Sequence, residues 1–108
     1  MGPILSERGD ETAGAAERAV RLVARRNRLL GLWAAARMGL TEAEARSYAT
    51  QVVQAEFEEA GDDDIVRMIA GDLWKSGIET SLIEVREALA RCSTEAARQL
   101  ETEHADER

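Results

Sequence analysis

Proline, cysteine, phenylalanine and tyrosine each occur once in this sequence, tryptophan twice, and aromatic residues together make up 4% of the 108 positions. So few aromatics remove the usual filling of β-strands, and one proline leaves almost no obligatory breaks in a helix. The single cysteine, Cys92, cannot close an internal disulfide, and no pair or cluster of Cys and His has the spacing of a zinc site. Met1 to Asp10 contains no apolar core of a secretory signal. A run of about 18 apolar residues, the minimum for a transmembrane helix, is also missing. Positive charge is in deficit: 14 basic residues against 21 acidic ones leave a formal charge of −7. That balance argues against a general nucleic-acid binder and against an anionic membrane surface. The expectation is a cytoplasmic chain that meets a membrane only through a partner.

What remains is a helical vocabulary of Ala, Leu, Glu and Arg at the length of a single domain. Residues 1–14 carry Gly2, Pro3, Gly9 and Gly14 among charges and predict a mobile tail. From Ala15, the spacing of Val20, Val23, Asn27, Leu30 and Ala34 by three and four predicts a helix ending near Arg37 to Gly39. Thr41 to Glu44, T-E-A-E, is a capping box opening a second helix with Ala45, Tyr48, Ala49, Val52, Val53 and Phe57 on one stripe, closed by Gly61. A third, shorter helix carries Ile65, Val66, Ile69, Leu73 and Trp74 and stops at Gly77. A second box at Ser81 to Glu84 opens a fourth, with Leu82, Val85, Leu89, Cys92, Ala96 and Leu100 inward. Residues 101–108 read as a frayed tail. Amphipathic helices of these lengths are unstable alone. The predicted fold is therefore all-α, a compact four-helix bundle over 15–100 with a disordered N-terminal tail.

Two residues stand out within the first stripe. Gly31 in mid-helix costs about 1 kcal/mol relative to Ala unless another backbone needs the room. Asn27, one turn earlier, would hydrogen-bond across that same close contact, as a buried amide must.

Enzyme chemistry finds no purchase. No triad, metal set or carboxylate dyad assembles, and His104 lies far from any nucleophile. Glu56 to Asp64, E-F-E-E-A-G-D-D-D, lacks the alternating oxygen ligands and sixth-position Gly of an EF-type calcium loop, so Asp62 to Asp64 are read as a cap and dipole complement for the third helix. Cys92 reads as a small core residue, and Trp33 and Trp74 as core anchors with room for one to face a partner. Charge is divided unevenly. Residues 1–40 hold seven arginines and four acidic residues, whereas the remainder holds seven basic and 17 acidic ones. The first helix is thus a basic rod on an acidic body, and Arg18, Arg21, Arg25 and Arg28 either pair within the domain or address an acidic surface or an anion.

Residues 24–35, A-R-R-N-R-L-L-G-L-W-A-A, followed by M-G-L-T (38–41), Y-A-T-Q-V-V (48–53) and A-E-F-E-E-A-G-D-D-D (55–64), resemble the zeta subunit of alphaproteobacterial F-type ATP synthases. The likeness is dense from Ala24 to Asp72 and thinner to Leu100. It implies a noncatalytic four-helix regulatory subunit, monomeric when free, that binds the catalytic head of the ATP synthase and inhibits ATP hydrolysis. The blocking element of that family precedes the first helix and carries spaced phenylalanines and a lysine, of the kind F-x-x-K-F. Ser6 to Ala16 here read S-E-R-G-D-E-T-A-G-A-A, with neither Phe nor Lys. A segment so poor in apolar anchors recovers little of its ordering cost, so head binding is expected to outlast inhibition. The resemblance places the partner contact at Glu7, Arg8, Arg18, Arg21 and Arg25. No cofactor is expected, beyond weak ATP or ADP binding by the basic rod. The alternative readings are an adenine-nucleotide sensor built on that rod and a homodimeric scaffold.

Overall fold

A computed structural model describes the backbone of residues 2–58 and 61–106, and the side chains of residues 14–56, 58 and 61–103. Four α-helices follow one another: α1 Gly2–Met38, α2 Glu42–Glu58, α3 Asp62–Lys75 and α4 Leu82–Asp106. Among the described residues there is no strand, as the poverty in aromatics predicts. α1 begins upstream of the Ala15 start read from the stripe, and Pro3 lies in its first turn, where a missing N–H costs nothing. The side chains of residues 2–13, on which the expected tail falls, lie outside the described residues. At the other end α4 continues past Leu100 to Asp106, and Glu103 is tied back to α1.

The helix ends follow local chemistry. Gly39 has φ 72° and Gly77 φ 80°. Each closes its helix with a pair of Schellman bonds, Leu40 N–H to Ala35 O and Gly39 N–H to Ala36 O in one, Ile78 N–H to Leu73 O and Gly77 N–H to Trp74 O in the other. The Thr41 box is reciprocal: Glu44 N–H donates to Thr41 Oγ1 at 3.2 Å and Thr41 N–H to Glu44 Oε1 at 2.8 Å. The Ser81 box is half formed, since Glu84 N–H donates to Ser81 Oγ at 3.1 Å while the Glu84 carboxylate accepts from Thr80. α3 departs from expectation. Its N-cap is Gly61, with φ 119° and no side-chain cap, and Asp62, Asp63 and Asp64 fill the first turn. They complement the helix dipole without capping.

α1 is the spine. It packs against α2, α4 and α3, while α3 also meets α2 and α4. Leu30, Ala34, Val52, Ile65, Ile69, Leu73 and Val85 form the centre of the core, each 1% exposed or less. Gly31 supplies the predicted close approach: a Cβ there would stand 2.7 Å from Ala49 Cα, so only hydrogen fits between α1 and α2. Tyr48 Oη donates to Asp72 Oδ2 at 2.6 Å and fastens α2 to α3. The side chain of Phe57 lies outside the described residues, and three inward expectations change, those for Val20, Trp74 and Leu82. Trp74 is 67% exposed and Leu82 39%, because each lies at the end of its helix where no neighbour continues. Trp33 is packed on the core, with the Arg37 guanidinium 4.7 Å above its ring.

Candidate functional site

The α1 surface sorts its arginines into two sets. Arg26 is 8% exposed and Asn27 fully buried. The Arg26 guanidinium donates to both carboxylate oxygens of Asp62, at 3.2 and 2.9 Å, a planar fork onto a planar acceptor. Its Nε donates to Asn27 Oδ1 at 3.0 Å, and Asn27 Nδ2 reaches Glu56 Oε2 at 3.4 Å. One buried cation thus gathers α1, the end of α2 and the start of α3. Among the described residues no buried side-chain polar atom is left without a partner. The cluster is a structural clamp.

Arg25 faces α4, donating to Gln99 Oε1 at 2.9 Å and pairing with Glu103 at 2.8 Å. Arg18, Arg21 and Arg28 are exposed, and none makes an ion pair among the described residues. The side chains of Glu7 and Arg8 lie outside the described residues. Of the five expected contact residues, the structure therefore presents Arg18 and Arg21 to solvent and commits Arg25 to its own fold.

Beside the exposed arginines, α1 and the last turns of α2 leave an open apolar groove of about 260 Å³. Ala19, Val20, Val23, Ala24, Val53 and Glu56 line it. Val20, the first member of the predicted stripe, is 52% exposed because α2 ends before it can cover that turn.

Other chemistries gain no support from placement. Cys92 is half-buried against the core, and burial raises its thiol pKa, which disfavours the thiolate a nucleophile needs. Among the described residues no three His, Cys, Asp or Glu side chains converge as a metal cradle, and no helix is long and apolar enough to cross a membrane.

The basic word of α1 showed Asn27 and Gly31 as special but not Arg26, which differs from its neighbours only in facing Asp62, 36 residues away. The groove was equally invisible, since it depends on where α2 stops.

Comparison with known proteins agrees with this architecture. A protein solved by solution NMR shares 40% sequence identity over 78% of this chain and 95% of its own, with a TM-score of 0.68. No curated protein matches the chain. Residues 7–99, which take in the clamp, the groove, α2, α3 and most of α1 and α4, match the family described as ATPase inhibitor subunit zeta, and the chain belongs to that family.

Proposed function

We propose that the protein is a noncatalytic regulatory subunit that binds the catalytic head of an F-type ATP synthase and acts sterically on ATP hydrolysis, at the membrane periphery through that enzyme. Family membership over residues 7–99 is the observation that carries this reading. The fold suits the role: a rigid bundle, clamped by Arg26, holds out a basic helical rod whose Arg18 and Arg21 are exposed. Glu7, Arg8, Arg18 and Arg21 form the contact set, and Arg25 joins it only by releasing Glu103.

Inhibition is expected to be weak. The sequence from Ser6 to Ala13, S-E-R-G-D-E-T-A, contains no aliphatic or aromatic residue larger than Ala. A wedge without apolar anchors gains little on insertion.

The test is reconstitution. Purified protein should co-migrate with the isolated head complex and slow its ATPase only slightly at stoichiometric amounts. Full inhibition at one copy per head would refute the reading of residues 6–13, and failure to co-migrate would refute head binding.

A further inference from the structure

The groove between α1 and α2 is an apolar feature of the described surface with a defined charge around it. Its lining is almost wholly aliphatic, and its single acidic member, Glu56, is already engaged by Asn27 and lies 4.0 Å from the Arg26 guanidinium. Among the described residues the charge along its α1 edge is mainly cationic. Arg21 adjoins Val20, Arg28 lies one turn beyond Ala24, and Arg18 precedes Ala19, all exposed; Glu17 is the one acid on this part of α1. A phosphate-bearing ligand is a poor occupant, since the groove is smaller than typical small-molecule pockets, about half open to solvent, and lacks polar donors on its floor.

We infer that this groove is a docking site for an amphipathic helix of the partner protein that carries acidic residues beside its apolar stripe, the stripe seating on Val20, Val23, Ala24 and Val53 and the acids meeting Arg21 and Arg28. Two observations carry the assignment. The face is aliphatic and helix-lined, the geometry in which an amphipathic helix lays down anchors at i, i+3 or i+4, and i+7. Among the described residues the exposed charge along its α1 rim is mainly positive and unpaired, which favours an occupant that brings negative charge. A second copy of the chain fits less well. Groove against groove would close as a two-fold but sets the Arg21 and Arg28 of one copy beside those of the other, and the other exposed large apolar residues, Trp74, Leu82 and Ile83, lie at the α3–α4 corner, where seating them in the groove makes a head-to-tail contact that does not close. The assignment rests on the head-binding reading and names the chemistry of the surface the head would offer.

Val20 tolerates substitution because half of it is already in water, so Val20→Asp tests the groove without opening the core. The probes are a synthetic helical peptide with leucines at i, i+4 and i+7 flanked by glutamates, and its isomer with lysines in place of those glutamates. Each is titrated into the full chain while amide shifts are followed. The glutamate peptide should perturb residues 19–24 and 53–56 saturably and bind about tenfold more tightly than the lysine peptide, and V20D or R21E should weaken it about tenfold. V20D should lower affinity for the intact head by a similar factor. Equal binding of the two peptides, or shifts elsewhere, would overturn the inference. So would undiminished binding of V20D to a head that the unaltered protein binds, an outcome that leaves head binding standing. Glutamate-peptide binding together with no head binding would do the opposite. A dimer in sedimentation that V20D dissociates would give the groove to a second copy and overturn the assignment.

Discussion

Two glycines within helices make opposite demands. At Gly31 a Cβ would meet Ala49 Cα at 2.7 Å, backbone against backbone, so Gly31→Ala forces α1 from α2 and should cost about 1–3 kcal/mol in urea denaturation. At Gly71 a Cβ would meet nothing within 4 Å, and Gly71→Ala should raise stability by about 0.5–1 kcal/mol through helix propensity and a less flexible unfolded chain. Sequence distinguished Gly31 because it interrupts an apolar stripe beside Asn27; Gly71, half-buried on α3, carried no such context. Arg26 was the least legible residue. It sits among Arg25 and Arg28 in the same word, and only the distant Asp62 marks it. Removing it leaves Asn27 Oδ1 and a mostly buried Glu56 short of a partner, so Arg26→Ala should cost about 2–3 kcal/mol. Asp62→Ala takes both fork acceptors from a guanidinium that is 9% exposed and leaves it Glu56 at 4.0 Å; because the Asp62 side is 56% exposed and water can reach it, the cost should be about 1–2 kcal/mol.

For whole helices, the ends were readable because caps are local: the Thr41 box and the two Schellman glycines depend on neighbours within five residues. The start of α3 was misread because its aspartates look like caps, and the decision lay with Gly61 and with arginines on α1 and α4. The Thr41 box has a pH signature. Hydrogen bonds from Thr41 hold the Glu44 carboxyl below its ordinary 4.5 in the folded state, so the unfolded chain takes up that proton first as pH falls. Arg98 likewise holds Glu95 down to about 2. Their stabilisation is complete above the unfolded value and should fade below pH 4.5, with the Glu44→Gln variant showing a shallower acid loss in thermal melts. At the alkaline side the sign reverses. Burial, and then the Asp72 carboxylate, raise the Tyr48 phenol above its ordinary 10.0, so above that pH the unfolded state ionises first and stability falls. Tyr48→Phe should flatten that alkaline limb.

Taken whole, the molecule is one core strung along α1, and the bundle was legible because four stripes with short connections admit few other arrangements. What sequence did not disclose is where the helices stop relative to one another, and both the groove and the exposed Trp74 follow from those end points. A single shared core predicts a single transition. Far-ultraviolet circular dichroism and the fluorescence of Trp33, followed in a Trp74→Phe background, should unfold at one urea midpoint, and separated midpoints would show that α3 and α4 melt independently of α1. The contact at Gly31 also acts as a ruler. Slide α1 by one turn and Asn27 or Ala35 must stand where only a hydrogen atom fits against Ala49, so the pairing has a single permitted setting. The reach of the arginine-bearing arm past its neighbours is measured from that notch, and relocating the glycine by one turn would lengthen or shorten the arm by about 5.4 Å.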